Sequence, residues 1–239
     1  MNKFEIAKPI IACHISKELL NELEKYIRYE IPKQIGVSKE TIYEKYSISI
    51  QDESGEEKIK EIFNYPLSIF PDSTNKIEIQ VYVYQPKDFT FSINFDKEYS
   101  GKYNKIRISY ESDNARETAL GIYEGIKRII ESHRNHNEFF HPSLGIELII
   151  DMTKFLFLYT SFFLIYQKYH VLALISFLIF LGMIIYQFTG NVFKRYITFE
   201  TNYNSKLQKS FKFYRNVLLS LLFLILGIII TQNWNRLFN

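Results

Sequence analysis

Near Pro142 the composition of the chain changes from that of a water-soluble domain to that of a lipid-embedded one. This change limits the possible fold more than any other feature. Residues 1–143 carry 20 basic and 23 acidic side chains, as a water-soluble domain does, whereas residues 144–239 carry 9 and 3. Three long runs in the second part contain no charged residue: Phe155–Tyr166, Val171–Ile185 and Val217–Ile230. Such runs are typical of membrane-spanning helices. The sequence therefore predicts a soluble domain, 1–143, fused to a membrane region, 144–239.

The three apolar runs differ in how clearly they define a span. A spanning helix needs about 20 mainly apolar residues. Extended through their uncharged flanks, the runs predict spans at about 152–170, 171–189 and 216–234. The first run alone is too short. A start further back, through Ile146–Ile150, would also give the required length but would draw charged residues toward the bilayer.

Those charged residues are Glu147, Asp151 and Lys154, of which Asp151 and Lys154 lie three positions apart on one helix face. Inside the bilayer, such a pair marks an ion path or a helix contact. At the boundary of the bilayer, it is a snorkelling pair whose charged ends reach the headgroups. A first span that starts at Met152 leaves Asp151 outside and favours the boundary position.

Basic residues concentrate in the link 191–215, between the second and third predicted spans. They are opposed there by Glu200 alone, and they are Lys194, Arg195, Lys206, Lys209, Lys212 and Arg215. Because cytoplasmic loops carry an excess of Lys and Arg, we expect this link in the cytoplasm. These residues could also hold a basic helix on anionic lipid, although topology alone accounts for them.

Three spans then fix the sidedness of the whole chain. Residues 1–143 lie in the cytoplasm and the C-terminus lies outside, in a multi-pass protein of a cell (inner or plasma) membrane. The richness in Lys, Ile and Asn is typical of a bacterial source.

The soluble half combines helical and strand periodicity. Ser16–Tyr29 and about Asp113–Arg134 carry apolar residues at helical spacing, and Ser16 is placed to cap the first helix. Four segments alternate apolar and polar residues, which predicts a mostly antiparallel sheet with one buried face. These segments are Tyr46–Gln51, Ile77–Tyr84, Phe89–Phe95 and Ile106–Glu111.

Two shorter elements complete the prediction. We expect a first strand at Ile10–Ile15 and, from the capping box Ser54–Glu57, a short helix to about Phe63. The element order is then β-α-β-α-β-β-β-α. The predicted fold class is α+β: an N-terminal two-layer sandwich with two long helices on one face of a mostly antiparallel sheet, followed by an α-helical membrane region of three spans.

A metal-like cluster stands between the last soluble helix and the first span. It consists of His133, His136, Glu138 and His141. Imidazoles together with a carboxylate suit zinc, and His133 and His136 could share a helix face. The stretch also has the character of a juxtamembrane linker, whose histidines would respond to pH near about 6.5. The sequence indicates no other cofactor.

The polar face of the predicted sheet is the best candidate binding surface. Its candidate residues are Gln80, Tyr82, Tyr84, Asn94, Arg107 and Ser109. A polar outer face is normal for such a sheet, so the pattern gives a location rather than a ligand. In the last soluble helix, Gly121 and Gly125 predict close packing on the sheet or on a partner helix.

No phosphate-binding loop, dinucleotide fingerprint, HExxH or Gly-x-Ser-x-Gly motif is present, so an enzyme is not the first expectation. The arrangement favours a membrane-anchored sensor or effector, whose cytoplasmic domain binds a ligand or partner and whose helices respond or only tether. A non-catalytic subunit of a larger membrane complex is the second interpretation. A membrane-tethered, metal-dependent enzyme is the third. The expected partners are the lipid bilayer and another copy of the chain or a membrane-complex protein, with no nucleic acid.

Overall fold

The computed structural model describes residues 2–66, 70–85, 88–98, 103–142, 144–192, 194–202 and 220. The strands are β1 (Asn2–Pro9), β2 (Cys13–Ile15), β3 (Tyr46–Asp52), β4 (Gly55–Ile59), β5 (Lys76–Val83), β6 (Phe89–Asp96), β7 (Lys105–Ser112) and β8 (Ile197–Phe199). The helices are α1 (Lys17–Tyr29), α2 (Ile31–Ile35), α3 (Lys39–Lys45), α4 (Ala115–Ser132), α5 (Leu144–Tyr166) and α6 (His170–Val192). Two 3₁₀ helices cover Ile62–Asn64 and His136–Phe140.

Six strands form one antiparallel sheet in the order β1-β7-β6-β5-β3-β4. Alternation in the sequence decides which face is buried, because successive side chains of a strand point to opposite faces. The apolar positions of β5, β6 and β7 are nearly inaccessible to solvent, whereas their polar neighbours are not. The predicted α+β class, with an antiparallel sheet buried on one face, is therefore confirmed.

Helices cover the buried face of the sheet. α4 packs on β1 and β7, and α1 packs against α4. Ser16 caps α1 as predicted, because its Oγ accepts a hydrogen bond from the backbone amide of Leu19 at 3.1 Å. On β7, the buried Tyr110 donates from its hydroxyl to the carbonyl oxygen of Ile35 in α2 at 3.2 Å, which ties the two layers together.

Two local predictions differ from the structure. The strand predicted at Ile10–Ile15 is present as β2 over Cys13–Ile15, but the sequence missed β1, an edge strand with a single buried side chain, Ile6, and therefore little alternation. Ser54–Glu57 does not open a helix. The Asp52 carboxylate accepts hydrogen bonds from the amides of Ser54 (2.7 Å) and Gly55 (3.1 Å), and this turn leads into β4. Gly55 has φ +153°, a conformation that favours glycine.

Within the described residues, two helices, α5 and α6, are long and apolar enough to cross a membrane, over Gly145–Tyr166 and His170–Gly190. The predicted bounds of the first span, 152–170, are wrong. α5 begins at Leu144 and ends at Tyr166, because the chain turns at Lys168, whose φ is +65°. The second predicted span, 171–189, coincides with α6. The third, 216–234, lies outside the described residues apart from Ser220.

Small polar side chains join α5 to α6. Ser161 Oγ donates to the carbonyl oxygen of Ala173 at 3.0 Å, and Ser176 Oγ donates to that of Phe157 at 2.8 Å. Ser161, Ala173 and Ser176 are all buried, so the backbones of the two helices approach closely. We refer to α5, α6 and the turn between them as the helical hairpin.

Gly125 allows the close approach of α1 to α4. A Cβ at this position would lie 2.0 Å from Oη and 2.3 Å from Cζ of Tyr26, whereas a Cβ at Gly121 would meet only Gln34 Oε1, at 3.5 Å. Gly125→Ala is therefore expected to lower the free energy of unfolding by about 1–3 kcal/mol, because the Tyr26 ring must leave its site. Gly121→Ala should instead stabilise the chain by up to about 1 kcal/mol through helix propensity. Urea unfolding of the detergent-solubilised chain measures both, and equal effects would contradict this packing.

Candidate functional site

After the helical hairpin, the chain returns to the soluble domain. β8 pairs with β2 in parallel, with Cys13 opposite Ile197 and Ile15 opposite Phe199. Ile197 and Phe199 are fully buried in the domain core. The Phe199 ring meets the edge of Phe70 at 6.3 Å between centroids. The sequence predicts a cytoplasmic link at 191–215. Its described part includes β8, which is a strand of the N-terminal domain.

Tyr196 and Asn137 fix the entry to β8. Tyr196 donates from its hydroxyl to the carbonyl oxygen of Ile10 at 2.9 Å, and burial raises the pKa of Tyr196 to about 12, so the hydroxyl stays neutral. Asn137 Nδ2 donates to the carbonyl oxygen of Arg195 at 2.8 Å. The 3₁₀ helix before α5 and the segment after α6 are therefore bound to each other as well as to the domain.

The 3₁₀ helix also packs on α6. The rings of Phe139 and Phe140 lie 5.5 and 5.4 Å from the Tyr186 ring, and the Tyr186 hydroxyl donates to the carbonyl oxygen of Phe139. Gly190 allows this contact, because a Cβ there would lie 2.8 Å from the carbonyl oxygen of Phe140. These contacts make the 3₁₀ helix an ordered bridge to the helical hairpin.

The four residues of the predicted metal cluster have separate partners. His133 Nε2 faces Glu22 at 3.6 Å, His141 Nε2 donates to the carbonyl oxygen of Lys194 at 2.8 Å, and His136 is exposed. Glu138 accepts hydrogen bonds from the Ala12 amide (3.2 Å) and from the Arg134 guanidinium (2.6 Å). Across the described ranges, no three His, Cys, Asp or Glu side chains form a group that could hold a metal ion. Glu138 and His141 instead tie the linker to its neighbours.

His14 lies at the contact between β2 and β8, with Nδ1 3.0 Å from Thr198 Oγ1. Burial lowers the pKa of His14 from its ordinary value of 6.5; Glu200 opposes this shift and His133 adds to it. The folded chain therefore takes up the proton at a lower pH than the unfolded chain.

This shift predicts acid sensitivity. The contribution of His14 to stability is complete above about pH 6.5 and is lost as the pH falls through the lower pKa of the folded state. His14→Asn is expected to flatten the fall in melting temperature between about pH 7.5 and 5. His136→Asn, which removes an exposed histidine of the linker, serves as the control. A wild-type pH profile in His14→Asn would contradict the assignment.

Asp151, Lys154 and Gln187 form a ring of polar contacts between α5 and α6. Lys154 Nζ lies 2.7 Å from Asp151 Oδ1 and donates to Gln187 Oε1, and Gln187 Nε2 donates to Asp151 Oδ1 at 2.9 Å. These contacts join α5 to α6, and the position of the pair inside the bilayer or at its boundary stays a prediction. The sequence alone gave no reason to select Gln187, which lies 33 residues from Lys154 along the chain.

A cavity of about 450 Å³ lies where the domain meets the helical hairpin. We call it the junction cavity. It is lined by Lys97, Glu98, Tyr103, Phe140, His141, Pro142, Glu147, Ile150, Asp151, Tyr186, Gln187, Arg195 and Tyr196. Its lining therefore comes from the segments after β6 and before β7, the 3₁₀ helix, both helices of the hairpin and the start of the returning chain.

The residues predicted on the outer sheet face do lie together. Gln80 is aligned across the strands with Arg107, and Tyr82 is aligned with Ser109. Asn94 lies in the adjoining row, and Tyr84 follows β5 with 70% of its surface exposed. Their known partners are neighbours within the domain, such as Glu5 for Ser109 and the carbonyl oxygen of Tyr103 for Asn94. Ligand binding on this face stays a prediction.

The predicted basic surface of the link is described only in part. Lys194 and Arg195 follow α6, and Arg195 lines the junction cavity. The other four residues, Lys206, Lys209, Lys212 and Arg215, lie outside the described residues. Neither protein-family models nor curated proteins nor solved structures match this chain. The chemistry of the site must therefore be argued from its own residues.

Proposed function

We propose that the chain is a membrane-anchored sensor or effector, in which the α+β domain binds a ligand or partner and the helical hairpin responds. The observation that supports this proposal is the attachment of the hairpin to the domain at both of its ends. The 3₁₀ helix packs on α6 before the hairpin begins, and β8 enters the domain core after it ends. A simple tether needs only one flexible connection, whereas coupling between the hairpin and the domain requires ordered connections such as these two.

The double attachment also supports a topology. Because the chain leaves and re-enters the same domain, α5 and α6 together would cross the bilayer and return to one side. Lys194 and Arg195 directly follow α6, which favours the cytoplasm of a bacterial cell for that side. A third span at about 216–234 would then place the C-terminus outside.

Cysteine labelling tests this topology with the native chain as background. Burial raises the pKa of the Cys13 thiol, so Cys13 is unreactive toward maleimides. Lys168→Cys, in the turn of the hairpin, is expected to react with an impermeant maleimide in spheroplasts. Lys58→Cys, on β4, is expected to react only after lysis. Labelling of both from the same side would refute the proposed topology.

Coupling between domain and hairpin tests the function itself. We expect expression of the full chain to change membrane permeability, and we expect the detergent-solubilised protein to be oligomeric. Detaching β8 by Phe199→Ala should alter the permeability change without removing the chain from the membrane. A strictly monomeric protein that leaves permeability unchanged would refute the effector function. A stoichiometric second protein on purification would instead support the role of a non-catalytic subunit.

A further inference from the structure

Two basic side chains from distant parts of the chain line the junction cavity. Lys97 follows β6, and Arg195 follows α6. Both are half-buried. Among the residues that the structure describes, neither forms a salt bridge, and the Lys97 ammonium donates only a long hydrogen bond of 3.5 Å, to the carbonyl oxygen of Asp72. Two cations therefore share one cavity without a carboxylate in contact with either.

The surroundings of Lys97 disfavour its positive charge. Burial and the charge of Arg195 lower the pKa of Lys97, although the charges of Asp72, Glu53 and Glu98 act to raise it. Half-buried like charges repel one another more strongly than exposed ones, because less solvent screens them. An anion between Lys97 and Arg195 would remove this repulsion.

The acidic residues of the cavity do not supply that anion. Asp151 is already paired with Lys154 and Gln187. Glu98 and Glu147 are exposed, so water screens their charges. The rings of Tyr103, Phe140, Tyr186 and Tyr196 also line the cavity. The half-buried part of the lining thus holds Lys97 and Arg195, aromatic rings and a carboxylate, Asp151, that already has its own partners.

We propose that the junction cavity binds a phosphate-bearing anion between Lys97 and Arg195. A guanidinium can hold two phosphate oxygens at once, and a lysine ammonium supplies a second, compact charge. The volume of about 450 Å³ is in the range of small-molecule sites. Because α5 begins at this cavity, the phosphate could belong to a phospholipid headgroup or to a free small molecule. The inference rests on the proposed function and names the class of ligand that such a sensor would bind.

The test uses the full chain in a maltoside detergent, which contains no phosphate. In one arm, inorganic pyrophosphate is titrated against sodium chloride of equal ionic strength while thermal unfolding is followed. In the other arm, native mass spectrometry counts phosphatidylglycerol retained from mixed micelles. We expect saturable binding in at least one arm, and the arm identifies the source of the phosphate. Lys97→Gln combined with Arg195→Gln should weaken that binding about tenfold or more for each charge removed.

Two further double variants distinguish binding at this site from a general effect of protein charge. Lys8→Gln with Arg116→Gln removes the same charges from exposed positions outside the cavity and should bind like the wild type. The exchange Lys97→Arg with Arg195→Lys keeps both charges and should retain binding. If the Gln pair does not fold, the single variant Lys97→Gln provides the comparison. Absence of binding in both arms, or unchanged binding without the two charges, would overturn the proposal.

Binding is measured without reference to permeability, so the two proposals can fail separately. Binding by a strictly monomeric protein that leaves permeability unchanged would support the site and contradict the effector function. A permeability change without binding would overturn the site and leave the function in place.

Discussion

Phe199→Ala is expected to lower the free energy of unfolding of the full chain by about 3–5 kcal/mol. Phe199 is fully buried, packs against Phe70 and lies in the strand that joins the returning chain to β2. Truncation leaves a cavity in the core and weakens the pairing of β8 with β2. Urea unfolding in detergent gives the free energy. Limited proteolysis between α6 and β8 should show cleavage that is absent from the wild type.

Phe63→Ala provides the matched control. It deletes the same atoms from a ring that is 81% exposed, so it should change the free energy of unfolding by less than about 0.5 kcal/mol. If Phe199→Ala were as mild as Phe63→Ala, β8 would not be part of the domain core. The attachment on which the proposed function rests would then be wrong.

Asp151→Asn is expected to destabilise the helical hairpin, because it leaves the Lys154 ammonium, whose side chain is only 17% exposed, without its anion. Adding Lys154→Met to Asp151→Asn should recover most of this loss, since no unpaired charge then remains. A double-mutant cycle measures the coupling directly. The fraction of folded hairpin can be followed in mixed micelles with increasing dodecyl sulfate.

An ion pair of the same spacing gives the control for this cycle. Glu30 and Lys33 are also three residues apart with an N···O distance of 2.7 Å, but their side chains are 48% and 62% exposed. Glu30→Gln should cost less than about 1 kcal/mol, with little coupling to Lys33→Met. Equal coupling energies in the two pairs would show that Asp151 is as well solvated as the surface of the domain.

The sheet could be predicted because its signal is local. Each of β3, β5, β6 and β7 alternates apolar and polar residues, and one buried face requires that pattern. β4 was missed because Gly55–Ile59 carries three charged residues and is an exposed edge strand, so its polar sequence also suits a helix start. The hydrogen bond from the Ser54 amide to the Asp52 carboxylate stabilises a turn before β4 instead of a helix start.

The candidate site was less predictable, because its contacts join residues far apart in sequence. Asp151 and Lys154 could be paired from their spacing, but Gln187 lies on the next helix. Nothing local indicates that Ile197 and Phe199 belong beside Cys13 and Ile15, since a three-residue strand carries little pattern. Lys97 and Arg195 meet only after both the sheet and the hairpin are formed.

The position of β8 in the chain imposes an order on biosynthesis. Its partner β2 leaves the ribosome first, and about 180 residues separate Ile15 from Ile197, which corresponds to about 10–40 s of synthesis. Throughout this interval the edge of β2 that pairs with β8 has no partner strand, and the site of Phe199 in the core is unfilled. The N-terminal domain is completed only by residues translated after both helices of the hairpin. The core of the domain therefore cannot close before both helices of the hairpin have been synthesised.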